Sequence, residues 1–237
     1  SSNGYTQFSG SPGGISYFHS GFMNDTAPVG NDADMVSYYT PRMSGFQLGV
    51  GWMPDSDQND AGHTSAGDLS DTFEDTLSIG ANYTTDMDGT SIAVSAGYTS
   101  SDVQNAGNAS SSVEVETHQV GVQVGMGGFT FGASYMEQID DTNARTGGDT
   151  ENILLGVTYA TGPHTIGLSG IWSEAEETTA IAADTEGQAI MIAHDYSLGG
   201  GVSLSSSVTF IDIDDEVAGA ANDSDGLVGM VMLNAGF

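Results

Sequence analysis

The chain has 237 residues, with 34 Gly, 5 Pro and no Cys, and it sets 32 acids against 2 bases, Arg42 and Arg145, for a formal charge of -30. Such a field repels phosphates and offers no basic stripe to neutralise them, so nucleic acid is excluded as a partner. The lack of cysteine removes disulfides and thiolate metal sites, and no apolar run approaches the roughly 18 residues of a membrane-crossing helix, the longest being short ones such as Ala189-Ile190-Met191-Ile192-Ala193.

A soluble domain of this length scatters Lys and Arg over its surface, so the near-absence of bases means a surface either very acidic or largely out of water. The chain opens Ser1-Ser2-Asn3, with no initiator Met and no signal peptide, and is expected to be a processed or truncated product.

Along the chain, apolar residues alternate with small or polar ones, the period of a strand with two different faces, and helical spacing never persists. The pattern predicts strands at Met35 to Pro41, Phe46 to Asp55, Thr76 to Met87, Ser91 to Asp102, His118 to Met126 and Phe129 to Ile139. It continues at Glu151 to Gly162, His164 to Glu174, Gln188 to Gly199, Val202 to Ile213 and Gly226 to Phe237, eleven in all.

The connections alternate as well. Short turns rich in Gly, Asp and Pro fall at Pro41 to Gly45, Asp86 to Gly89, Gly125 to Gly128, Ala160 to Pro163 and Leu198 to Gly201. Long polar stretches lie near 55–75, 103–117, 140–150, 175–187 and 214–225. All short turns at one end and all long loops at the other is the topology of an all-β, antiparallel, up-and-down transmembrane β-barrel.

Charge sorts the same way. Apart from Asp25, Asp32, Asp34, Asp86, Asp88 and Asp195, every acid lies in or beside a long stretch. A soluble sandwich would charge the solvent face of its strands, whereas a lipid-facing strand cannot, since a base at the bilayer midplane costs ~2–4 kcal/mol and an acid somewhat less. Phe46, Leu48, Val50 and Trp52 fall on one side of their strand and Gln47, Gly49 and Gly51 on the other. Leu77, Ile79, Ala81 and Tyr83, then Val120, Val122 and Val124, then Ile153, Leu155, Val157 and Tyr159, then Ile166, Leu168 and Trp172 repeat the split. The apolar sets are expected to face lipid and the small polar sets a wet interior.

Aromatics gather at strand ends. Trp52, Tyr98, Tyr135, Trp172 and Phe210 fall toward the long loops; Phe46, Tyr83, Phe129, Tyr159 and Tyr196 fall toward the short turns. Rings that prefer the boundary between hydrocarbon and water, in two sets, imply two membrane surfaces.

The segment Asp34-Met-Val-Ser-Tyr-Tyr-Thr-Pro-Arg-Met-Ser-Gly-Phe-Gln-Leu-Gly-Val-Gly-Trp-Met-Pro-Asp55 resembles the hairpin that follows the constriction loop in Gram-negative general porins, especially the alphaproteobacterial kind. Thr40 stands where that hairpin commonly has Ser, and Met43 where it has Phe. Phe237, closing an alternating strand, is similar to the C-terminal signal read by the outer-membrane assembly machinery. The resemblance implies one barrel domain over residues 1–237. In it, 1–33 would be the inward-folded constriction loop and 34–237 strands six to sixteen of a sixteen-stranded barrel. It further implies a homotrimer in the bacterial outer membrane, embedded in lipid and passing small hydrophilic solutes, with long acidic loops extracellular and short turns and C-terminus periplasmic. Eleven strands alone leave two open edges that lipid cannot satisfy, so further strands are expected.

Family resemblance makes Asp25, Asp32 and Asp34 the candidate constriction carboxylates, although each also suits a turn or a cap. Arg42, in a short turn, reads as an interfacial residue. The acidic rim should concentrate cations, giving cation preference. Asp212, Asp214, Asp215 and Glu216 offer hard oxygens for loosely bound calcium, but the regular spacing of a calcium loop is missing. Otherwise no metal or cofactor is expected. Five histidines, His19, His63, His118, His164 and His194, lie far apart without a paired metal spacing and read as interface or loop residues.

No nucleophile elbow and no phosphate-binding Gly-rich loop with a Lys occurs, which argues against catalysis. An enzymatic barrel would bring Ser, His and an acid to one rim. A surface structural or adhesion barrel, plugged and binding partners through its loops, would carry bulky inward side chains, whereas the wall read here is Gly, Ser, Thr and Asn. A calcium-binding β-solenoid needs a short repeat, and none is found.

Overall fold

The computed structural model describes residues 34–55, 73–104, 112–140, 149–176, 184–215 and 224–236. They form one antiparallel sheet of eleven strands in chain order: β1 (Val36–Tyr39), β2 (Phe46–Asp55), β3 (Phe73–Met87), β4 (Thr90–Gln104), β5 (Ser112–Met126) and β6 (Phe129–Asp140), then β7 (Thr150–Thr161), β8 (His164–Glu176), β9 (Asp184–Gly199), β10 (Val202–Asp215) and β11 (Ser224–Ala235). Every strand pairs only with its neighbours in sequence, and among the described residues β1 and β11 are the edges.

Several strands begin or end beyond the alternating apolar pattern. β5 starts at Ser112 and takes in Glu114 and Glu116; β9 starts at Asp184, and β4 runs on to Gln104. Charge had suggested a loop at these positions. The ladder hydrogen bonds do not depend on side-chain polarity, however, so a strand tall enough to cross hydrocarbon can keep its pairing on into water. Nine to eleven tilted residues suffice to cross, and β3, β4 and β5 each have 15. β1 is shorter than expected and stops two residues before Pro41, which has no N–H to donate to a ladder. In β3 the register shifts between Glu74 and Leu77, where Asp75 takes a left-handed backbone with φ of 46°, the mark of a bulge.

The short turns share a device. In the β1–β2 turn Ser44 and Gly45 have φ of 48° and 89°, and in the β5–β6 turn Gly127 and Gly128 have 59° and 85°. Two successive positive φ values match the twist of a two-residue hairpin. The second glycine then serves the next hairpin along. The Gly45 carbonyl accepts from Thr84 N at 2.9 Å, and the Gly128 carbonyl accepts from Ala160 N at 2.8 Å. Likewise Gly201 O accepts from Gly236 N, and Pro163 O from Ser197 N, both at 2.8 Å. A Cβ on Gly45 would sit 2.2 Å from the Thr84 carbonyl oxygen, so the close approach itself demands glycine there.

Gly45 and Gly89 therefore separate two costs. Gly89 also has positive φ, 82°, but a Cβ there meets nothing within 4 Å. Gly89→Ala is expected to cost about 1–2 kcal/mol, the left-handed penalty alone. Gly45→Ala adds a collision with the neighbouring strand and should lower the urea midpoint of the folded barrel clearly further; equal midpoints for the two variants would show the contact to be unimportant.

Candidate pore wall

The two faces of the sheet have reversed polarity. On one face, the large apolar residues stand exposed: Leu48 is 41% accessible, Ile79 45%, Val122 41% and Leu155 47%. On the other, hydroxyls and amides are buried, with Ser205 at 0%, Thr117 at 2% and Asn152 at 3%. A soluble protein does the opposite. The register makes the division continuous: Leu48, Ala81, Ala96, Val120, Tyr135, Ile153 and Trp172 lie side by side on seven successive strands of the apolar face.

Much of the polar face pairs laterally, although among the described residues Asn152 Nδ2 is buried without a partner. Thr76 and Ser101 share a hydroxyl hydrogen bond of 2.8 Å. Ser173 Oγ donates to Asn152 Oδ1, and Ser205 Oγ donates to Asp195 Oδ1, both at 2.5 Å; Asn234 Nδ2 donates to Ser205 Oγ at 3.0 Å. These bonds link strands already joined by their backbones, so they fix side-chain positions along a hydrophilic surface.

Arg42, exposed in the short turn, reaches onto this face. Its Nη1 donates to Gly45 O at 2.6 Å and Thr84 Oγ1 at 3.1 Å, and its Nη2 donates to Gln47 Oε1 at 3.1 Å and Asn82 Oδ1 at 2.5 Å. All four acceptors are neutral. The guanidinium thus ties the short turn to β2 and β3 and leaves a fixed positive charge at that end of the polar face.

The polar face is not uniformly small and polar, as the alternation had suggested. Leu154, Ile171 and Ala189 form a buried apolar cluster there, with Ile211 and Ile213 packed against it. Leu154, Ile171, Ala189 and Ile211 are cross-strand neighbours on β7 to β10. Met191 and Ala193 are buried on the same side. The run Ala189 to Ala193 carried the signal: five apolar residues in one strand put apolar groups on both faces.

At the long-loop end, the apolar face bears a row that sequence reading did not resolve. Glu137, Glu151, Glu174, Glu186 and Asp214 are direct cross-strand partners in succession on β6 to β10. Nearby, Tyr98 donates to Glu116, Ser100 Oγ donates to Glu114 Oε1 at 2.7 Å, and Gln188 Nε2 donates to Asp212 Oδ2 at 3.1 Å. Acids counted as loop charge are thus registered side by side on a sheet.

Among the other expected site residues, Asp34 is exposed just before β1, while Asp25, Asp32, Glu216 and Phe237 lie outside the described residues. Trp52, Trp172 and Phe210 are exposed on the apolar face toward the long-loop ends of their strands, and Tyr98 and Tyr135 share that face and end. Toward the short turns Phe46 pairs with Tyr83, and Phe129 packs on Tyr159 with ring centroids 4.4 Å apart. Asp212, Asp214 and Asp215 lie in β10, but among the described residues no group of three or more His, Asp or Glu side chains is placed to hold a metal. His164 and His194, 30 residues apart in sequence and without a metal spacing along the chain, meet across β8 and β9 with Nδ1 and Nε2 3.0 Å apart.

The family model described as Gram-negative porin matches residues 1–216. Many solved structures share the fold, among them the following three. The anion-selective porin from Comamonas acidovorans is 19% identical with a TM-score of 0.53, the match covering 84% of this chain and 59% of that one. OmpT, an outer membrane protein of Vibrio cholerae, is 14% identical at a TM-score of 0.57, covering 84% and 63%. OmpF of Salmonella typhi, solved with daunomycin, is 16% identical at 0.60, covering 84% and 61%. The chain therefore spans about three fifths of each of these. No curated protein matches it.

Like charges held directly opposite on adjacent strands repel, at roughly 0.2–1 kcal/mol per pair. Glu174 has a carboxylate on either side, Glu151 and Glu186. Glu174→Gln is accordingly expected to raise the urea midpoint at low ionic strength, with the gain fading in high salt as screening shortens to a few ångströms.

Proposed function

Because the chain belongs to the Gram-negative porin family, we propose that it builds much of the wall of a passive outer-membrane channel that admits small hydrophilic solutes and prefers cations. The observation that carries this reading is the reversed burial, with exposed Leu, Ile and Val on one side of a single sheet and buried Ser, Thr and Asn on the other. Apolar side chains meet hydrocarbon without penalty, while the hydroxyls and amides, hydrogen-bonded to one another, make a hydrophilic inner wall. Tyr83, Phe129, Tyr159 and Tyr196 with Phe46 form one interfacial belt; Trp52, Tyr98, Tyr135, Trp172 and Phe210 form the other. The long acidic stretches face the exterior and the short turns the periplasm. Residues 1–33 fold inward as the constriction, with Asp25, Asp32 and Asp34 facing the pore. Further strands close the edges at β1 and β11, since open ladders in lipid leave N–H and C=O groups unpaired. The assembly is a homotrimer.

Cation preference rests on this chain's own charge, -30 in all, with the glutamate row at the outer rim. The Comamonas protein is anion-selective, but at 19% identity the likeness extends to the fold alone. Rim carboxylates raise the local cation concentration before solutes enter, and Arg42 opposes them weakly at the other mouth. The buried cluster of Leu154, Ile171 and Ala189 favours a second reading, a structural barrel with an occluded lumen.

Planar-bilayer recording separates the two. Stable ohmic steps with a reversal potential of cation sign in a salt gradient are expected; absence of steps supports the occluded barrel, and an anion-sign potential removes the cation preference. The faces are tested by neighbours in β5. Val122→Arg puts a charge against lipid and should cost about 2–4 kcal/mol if near mid-bilayer, seen as failure to fold into vesicles. Gln123→Arg should fold normally and move the reversal potential toward anions.

A further inference from the structure

The histidine pair has no part in the channel reading, and its geometry suits a different chemistry. His164 opens β8 and His194 lies in β9; the register sets His164 opposite Tyr196 and His194 opposite Ile166, so the imidazoles are diagonal neighbours on the apolar face beside a short turn. Their rings stack, with centroids 5.2 Å apart and planes 19° from parallel, and the Tyr196 ring tilts against His164 at 4.8 Å. His164 Nδ1 and His194 Nε2 are 3.0 Å apart. In that contact one nitrogen holds the proton and the other accepts it.

We infer that His164 and His194 form a two-nitrogen clip for a borderline divalent transition metal, Cu²⁺ above the others, at the short-turn rim of the barrel. Two nitrogens bound at about 2.0 Å lie roughly 2.8 Å apart in cis positions of a square plane and about 3.3 Å apart on a tetrahedron. The observed 3.0 Å falls between these, so the two nitrogens already stand at chelating separation, and turning both rings about their side-chain torsions aims the lone pairs at one ion. The ion takes the place of the proton between the two nitrogens; the donor ring changes tautomer, carrying that proton on its other nitrogen, so both imidazoles bind neutral. Strand backbones fix both residues, and the Tyr196 ring confines one imidazole, so little rotamer freedom is lost on binding. His164 is exposed, and water completes the coordination. Imidazole selects this ion class over Mg²⁺ and Ca²⁺, which take oxygen, and Cu²⁺ binds tightest of the divalent first-row ions.

The test uses the full chain folded in detergent micelles with excess Mg²⁺ to occupy the many carboxylates. Cu²⁺ is titrated and its paramagnetic resonance spectrum recorded for wild type, His164→Phe, His194→Phe and His118→Phe. Phenylalanine keeps the ring stack and removes the nitrogen, and heat-modifiable gel mobility reports folding. The expected result is one Cu²⁺ per chain with a two-nitrogen spectrum, weakened at least tenfold by either His164→Phe or His194→Phe and untouched by His118→Phe. A wild-type spectrum showing oxygen ligands only, or affinity unchanged in His164→Phe, overturns the site. Because the readout is the bound metal, it stands or falls independently of any conductance.

Discussion

Hydrocarbon offers no partner to a backbone N–H or C=O, so each such group in a membrane-crossing segment must be paired within the protein. The sheet meets that demand with ten successive antiparallel pairings, β1 through β11, none of them skipping a neighbour. Once the ladder supplies the hydrogen bonds, the side chains are released from holding the backbone together and can be sorted by solvent. The alternation of Leu48, Val50 and Trp52 with Gln47, Gly49 and Gly51 is that sorting in its simplest form. The same requirement makes the edges at β1 and β11 the sites where additional pairing matters most.

Division of labour between the two ends follows. At the short-turn end, glycines with positive φ hold two-residue hairpins, and Arg42 braces one of them against β2 and β3. At the other end, strands continue beyond the greasy zone and carry registered acids, from Glu137 across to Asp214. Cross-strand repulsion there works against the sheet, so its retention in the fold has to be offset by the backbone ladder beneath it. The outcome is an asymmetric sheet, with few charges at the short-turn end and a registered row of acids at the other.

Strand number, order and face were legible because a period of two survives in the sequence wherever one face is apolar and the other is not. Strand ends were less so: the extension of β5 back to Ser112 runs through Glu114 and Glu116, whose charge says loop while their backbones remain paired. Leu154 was hidden for a related reason. It sits between Ile153 and Leu155, so only the opposite burial of its neighbours distinguishes it. The glutamate row and the histidine pair depend on register between strands, which no single strand's composition encodes; Arg42 could be placed only once the distance from the turn to Asn82 was known. Asp25, Asp32, Glu216 and Phe237 lie outside the described residues, so the candidate constriction rests on sequence alone.

The carbonyls of Gly45, Gly128 and Pro163 each accept a hydrogen bond from a strand of the following hairpin, and that of Gly201 accepts one from Gly236 just past β11, so the short turns are coupled to their neighbours as well as to their own strands. That coupling bears on how such a chain can change length. One residue added to any of these turns would displace two hairpins at once. Insertions, epitope tags and lineage-to-lineage length variation should therefore accumulate on one rim only, leaving the opposite rim to vary by substitution.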